Sequence, residues 1–350
     1  MQWFIFSVIT LLCWSGSDFF SKIGCRDARD KYSHLKMVMA VGVVMGLHAA
    51  YEVFFNGVVI NWQIIVTYLP VSLLYILSMA MGYIGLRYIE LSISSPICNS
   101  SGALVAIATI IIGGATDMVP MQFVAVGLVC IGVVGLGFVE AHEDEALRAA
   151  RQEASNFKYA KSWLALALPI AYCLLDAAGT FADSLVLETL HLDFLQQYGG
   201  TEFAAIFQNG IPEALEGLVA PGQEQTVQAL IDTMEEASAN SANVAYELTF
   251  LIAGIFCFIY TVLIKKQKLV PKMEAPKYVG AIFETAGQFT YIFALSDADH
   301  VAMSAPIISA YCAASVLWSR LFLKEKLSWK HYVCIATTVV GIIIMGVFDM

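Results

Sequence analysis

Ten apolar runs follow one another along the chain, near positions 3–23, 35–55, 64–86, 93–113, 121–138, 163–187, 244–264, 278–295, 301–321 and 332–348. A helix needs about 20 such residues to cross the hydrocarbon core of a bilayer. In lipid a spanning segment has to satisfy its own backbone polar groups, so each run predicts a helix rather than a strand or loop. The pattern predicts an all-α membrane protein with ten transmembrane helices.

Composition excludes the soluble alternative. The 350 residues are 59% hydrophobic and 14% charged, against about 25% charged in a soluble domain. Water could not be shielded from that much apolar surface, whereas lipid solvates it. The net charge of -10 identifies no partner until the charges are placed along the chain. Of the cysteines, all but Cys25 fall in apolar runs and none pairs at metal-ligand spacing, so they read as small hydrophobes without a disulfide framework. The first run lacks a basic leader and a small-residue cleavage site, and reads as an uncleaved span.

The basic residues segregate. Lys22, Arg26, Arg29, Lys31 and Lys36 lie where helices 1 and 2 join, and Arg87 lies between 3 and 4. Arg148, Arg151, Lys158 and Lys161 lie between 5 and 6, and Lys265, Lys266, Lys268, Lys272 and Lys277 between 7 and 8. Arg320, Lys324, Lys326 and Lys330 flank the join of 9 and 10, which accounts for all 19 Lys and Arg. Basic links stay in the cytoplasm. A missed or invented helix would scramble the alternation, so it predicts the helix number together with a plasma-membrane orientation in which both termini face outward. The link between helices 6 and 7, residues 190–243, carries no Lys or Arg and is acidic. It is expected outside the cytoplasm as a solvated insertion, lid or partner surface, with short amphipathic helices at 202–207 and 224–236.

Internal similarity divides the chain in two. Ser94-Ser95-Pro96-Ile97 opens helix 4, and Ser304-Ala305-Pro306-Ile307 opens helix 9. Gly132 and Gly137 recur as Gly341 and Gly346, and Cys13-Trp14 with Asp18 matches Ala171-Tyr172 with Asp176 more loosely. Five helices per half is odd, so the second repeat enters with opposite orientation, as in carriers that rock about a midplane site. The expected boundaries are 1–139 for the first repeat, 140–161 for a cytoplasmic linker and 162–350 for the second repeat with its external loop.

Three stretches carry a family resemblance. Residues 319–329, Ser-Arg-Leu-Phe-Leu-Lys-Glu-Lys-Leu-Ser-Trp, resemble the junction of the last two helices in the EamA type of the drug/metabolite transporter superfamily. Arg87-Tyr88-Ile89-Glu90 followed by Ser94-Ser95-Pro96 resembles that family's link from helix 3 to helix 4, and Leu12-Cys13-Trp14-Ser15-Gly16 through Lys22 its first helix. The resemblance covers nearly the whole chain except 190–243. It implies a ten-helix carrier with a central cavity and small substrates such as amino acids, metabolites or drugs. The acidic loop is longer than the family's usual link, and several relatives place their termini in the cytosol.

Acids inside the spans are the leading functional candidates, because a charge in the membrane is costly and faces the bundle interior or water. These are Asp18, Asp176, Asp183, Glu247 and Glu284. Asp176 and Glu284 lie deepest, and taking a carboxylate out of water favours its neutral form, so they lead for proton coupling or contact with a cationic or polar substrate group. Asp18 and Asp183 sit nearer span ends, where they can instead reach headgroup water or cap a helix. Glu284, Gln288 and Tyr291 share one face of helix 8, lining either a cavity or a helix–helix contact. Ser95 and Asn99 on helix 4 and Tyr311 on helix 9 add polar groups. Trp14 and Tyr172 can stack on a substrate or pack as core. Pro96 and Pro306 read as first-turn prolines that can act as hinges. His48 and Glu52 share a face without a third ligand, Gly42 and Gly46 form a helix-packing motif, and no phosphate loop or nucleic-acid surface is present.

The expected activity is secondary transport of a small polar or amphipathic metabolite by alternating access, without cofactor, metal or nucleic-acid partner. A membrane-embedded enzyme on lipid-linked substrates, for which His191 and Asp193 offer a thin external site, and a non-transporting sensor or assembly subunit stay open as alternatives.

Overall fold

The structure is a computed structural model that describes residues 2–25, 30–88, 97–114, 118–141, 163–199, 224–297, 300–322 and 327–348. Among these residues there is no strand. The helices are α1 (Gln2–Cys25), α2 (Ser33–Phe54), α3 (Trp62–Tyr88), α4 (Ser101–Thr109), α5 (Pro120–Ala141) and α6 (Trp163–Gly199). They continue as α7 (Glu224–Phe258), α8 (Pro271–Leu295), α9 (Val301–Ser309), α10 (Tyr311–Phe322) and α11 (Trp329–Phe348). Short π-helical turns extend α4 over Ile110–Gly114 and α7 over Ile259–Ile264. Eight segments are long and apolar enough to cross a membrane, with α9 and α10 counted together as one of them. The described part of helix 4 is a shorter apolar helix, and α8 is not among the eight.

The outside of the bundle is what lipid requires. Leu47, Phe54, Ile111, Phe256 and Ile343 all point outward and are exposed, a belt no water-soluble monomer would tolerate. The interior is made by helix pairs: α1 on α8, α2 on α7, α3 on α6, α4 on α9 and α5 on α11. Without a hydrophobic drive between helices in lipid, small residues decide how closely such pairs approach. Gly42 meets Gly254 across α2 and α7, where an added Cβ would lie 2.7 Å from the Phe250 carbonyl oxygen. Gly132 faces Thr338 and the Cys334 carbonyl on α11, and reciprocally Gly341 faces the Ala125 carbonyl on α5. Of the glycines that recur between the halves, Gly132 and Gly341 thus meet at this crossing, whereas Gly346 abuts the Phe4 ring of α1.

Three expectations need correction. The described residues of the predicted loop 190–243 are helix: 190–199 complete α6, and 224–243, which include the amphipathic helix expected at 224–236, are the first part of the 35-residue α7. Leu190, Phe194, Leu195, Ala239 and Ala242 are buried, so these acidic extensions pack by their apolar faces instead of standing in solvent. His191 is buried within α6 and Asp193 lies on the same helix. The 202–207 segment lies outside the described residues. Pro306 is interior to α9, not in its first turn. A proline there removes a backbone donor and crowds the preceding turn, and the rod breaks four residues later at Ala310. Pro96 lies outside the described residues.

Two basic residues of the links are also buried. Lys36 Nζ lies 2.8 Å from Asp30 and 3.3 Å from Glu274, and Lys277 Nζ lies 2.9 Å from Glu274. The Glu274 oxygens meet both ammonium groups at ion-pair distance but off the hydrogen-bonding directions. Two positive and two negative side chains thereby tie the start of α2 to the start of α8.

A second ionic contact joins α2 to α7. His48 Nδ1 lies 2.8 and 3.0 Å from the two carboxylate oxygens of Glu247, and its Nε2 lies 3.5 Å from Glu52. Glu247 is fully buried, so its role here is interhelical. Removing one partner strands the other charge in the interior. His48→Leu should destabilise the protein by about 3 kcal/mol, read as a drop in the thermal midpoint in detergent. His48→Leu with Glu247→Gln should recover most of that loss; equal loss in the single and double variants would show the pair is not coupled.

Candidate functional site

A cavity opens between the helices, about 1030 Å³ with its solvent-open mouth included. Its walls come from both halves. Trp14 and Asp18 of α1, Asn99 ahead of α4, Tyr172 and Asp176 of α6, Glu284, Gln288 and Tyr291 of α8, and Tyr311 of α10 all line it. These are nine of the ten residues singled out from the sequence; the tenth, Ser95, lies outside the described residues. On α8 the three polar residues stand on one face at helical spacing, and that face looks into the cavity.

The acids have different surroundings. The Ser101 hydroxyl donates to Asp176 Oδ2 at 2.7 Å, and Asp18 and Glu284 line the wall nearby. Asp183 does not line the cavity. It is fully buried, so the expectation that it reaches headgroup water is corrected. It accepts a hydrogen bond from Tyr68 at 2.5 Å and lies 3.3 Å from the Tyr75 hydroxyl. Tyr75 in turn contacts the hydroxyl of Tyr291, and Tyr291 donates to Thr180 at 3.0 Å. Asp183 therefore anchors a hydroxyl network that braces one wall from behind.

Aromatic rings complete the enclosure. The Trp14 indole tilts against Tyr291 with centroids 4.9 Å apart and meets Tyr311 edge-on at 5.9 Å. Gly287 makes room for it: a Cβ there would collide with the indole ring. Gly287→Ala should therefore push Trp14 out of its place against Tyr291 and reduce ligand affinity about tenfold, roughly the worth of one aromatic contact. Ligand titration of the purified variant checks this, and unchanged affinity would show that the indole position is unimportant. Gly102 abuts Ser309 and the Ala305 carbonyl, so α4 and α9 meet at backbone distance where they border the cavity.

Several lining residues escaped the sequence reading, among them Ser17, Ser21, Tyr75, Tyr83, Thr180 and Tyr246. A signal existed for some of them. Trp14, Ser17, Asp18 and Ser21 follow i, i+3, i+4, i+7 spacing, and Asp176 and Thr180 are one turn apart. Tyrosines in apolar helices carry no comparable mark, because they serve equally well as core.

No curated protein matches the sequence significantly. A solved chain described only as a crystal structure of a protein is similar over 99% of this chain and 96% of its own, with a TM-score of 0.59 and 10% sequence identity, a likeness of fold alone. The sequence signal is local to the second half and runs from within α7 to the end of α11. Residues 241–347 match the family model of the EamA-like transporter family.

Proposed function

We propose that the protein is a secondary transporter that carries a small polar or amphipathic metabolite across the plasma membrane by alternating access, with Asp176 and Glu284 coupling transport to protons. The observation that carries this reading is a cavity walled by both halves, with carboxylates from α1, α6 and α8 on its surface. Polar side chains inside a bundle of lipid-exposed helices mark a pathway.

The helix pairing favours two inverted five-helix repeats with ten spans. Taking α4 as helix 4, α9 with α10 as helix 9 and α11 as helix 10, a two-fold relation exchanges helix n with helix n+5. It maps the 2–7, 4–9 and 5–10 pairs onto themselves and the 1–8 pair onto 6–3, and these are the pairs that pack. Such a relation allows one bundle to rock against the other around a fixed site. The charge segregation supports termini outside the cytoplasm.

Flux into proteoliposomes, with and without an imposed pH gradient, tests transport. Flux of a small-metabolite panel no greater than in empty liposomes would sink the carrier reading. Cysteines at Val59 and Lys268, both exposed, test sidedness. An impermeant thiol reagent should label Val59→Cys from outside intact cells and Lys268→Cys only after permeabilisation.

A further inference from the structure

We infer that the cargo of this cavity is an organic cation, an amine or quaternary ammonium group on an aromatic body that also offers a hydrogen-bond acceptor; this rests on the carrier reading above. The charge of the lining is one-sided. Asp18, Asp176 and Glu284 contribute carboxylates, and among the described residues no Lys, Arg or His lines the cavity. The buried lysines of the bundle, Lys36 and Lys277, are engaged with Asp30 and Glu274 and have no charge to spare for a ligand. A carboxylate, phosphate or sulfonate in this cavity would face like charge without a counter-ion, in surroundings where such a mismatch is costly.

The rest of the wall suits the same ligand. One indole and six phenol rings line the cavity, and aromatic faces attract cations, most strongly where water is excluded. A purely cationic ligand would leave one feature unused. Gln288 is 3% exposed, lines the cavity, and its Nε2 donor has no hydrogen-bond partner. A buried donor left unpaired is costly, so the ligand should bring an acceptor such as a carbonyl oxygen to it. The indole N–H of Trp14, also without a partner, asks for the same.

Three probes of similar size separate the contributions. Benzoylcholine carries a quaternary ammonium that cannot lose a proton, together with a carbonyl and a phenyl ring. Its carbon isostere 3,3-dimethylbutyl benzoate is neutral, and hippurate is an anion. Equilibrium dialysis against the full chain in nanodiscs should show benzoylcholine binding about 30-fold or more tighter than the neutral ester, with hippurate weakest. The double variant Asp176→Asn, Glu284→Gln should lose most of the preference for the cation over the neutral ester, Asp18 and the aromatic rings keeping the remainder. If that variant does not fold, each single variant should still lose part of the preference. Equal binding of ester and cation by the unaltered protein, tighter binding of hippurate, or a preference undiminished by neutralisation of both acids would overturn the inference. Proteoliposome flux separates this from the carrier reading. Transport of hippurate or other solutes without any preference for the cation leaves a carrier and removes the cation site. Selective binding of benzoylcholine without flux of any solute keeps the site and removes the carrier.

Discussion

Glu284→Gln lowers pH-gradient-driven flux in proteoliposomes about 10- to 100-fold. Glu284 lies on the polar face of α8 that looks into the cavity. The amide keeps the shape of the side chain but can neither carry a proton nor offer charge. A hydrogen bond to a charged group is worth about 1.5–3 kcal/mol, which corresponds to that range. Asp176→Asn should have a smaller effect, because the amide oxygen can still accept the Ser101 hydrogen bond that positions the side chain. The measurement is initial uptake at matched protein density, with and without the gradient. Flux in Glu284→Gln that still responds fully to the gradient would remove this carboxylate from coupling.

Glu274→Ala should prevent accumulation of folded protein, or cost about 3–5 kcal/mol where it folds. Glu274 is the carboxylate between two buried lysines, and Lys277 is 1% exposed. Among the described residues, without Glu274 the Lys277 ammonium keeps only a 3.2 Å hydrogen bond to the Met273 carbonyl, with no counter-charge in contact. Lys277 also packs tightly, since a Cβ on Gly24 would lie 2.7 Å from its Cγ, so it cannot swing out to water without disturbing α1. Replacing both partners by apolar residues of similar size removes the penalty. Glu274→Leu with Lys277→Met should therefore express better than Glu274→Ala. Fluorescence-detected size exclusion gives the answer; a monodisperse peak of normal height for Glu274→Ala alone would mean the cluster adds nothing to folding.

The largest departure from expectation concerns 190–243. Acidic residues, glycines and prolines made it read as a solvated loop, yet α6 and α7 extend into it from both sides. Average hydropathy hides an amphipathic extension, because half of each turn is polar while Leu190, Phe194 and Leu195 face the core. The acids show the same difficulty. Asp183 and Glu247 resemble Asp176 and Glu284 in type and in their apolar surroundings along the chain. Only the helices packed beside them differ: Tyr68 and Tyr75 stand against Asp183, and His48 against Glu247.

From the order of residues alone followed the apolar helices, the repeated glycines and the polar face of α8, because a chain in lipid satisfies its backbone within each segment and side-chain direction is set by helical periodicity. Tertiary structure alone decided which acids share a cavity, which are tied up between helices, and where α9 breaks. Those outcomes depend on the partner across each helix contact, and that partner is distant in sequence, so no local pattern encodes it.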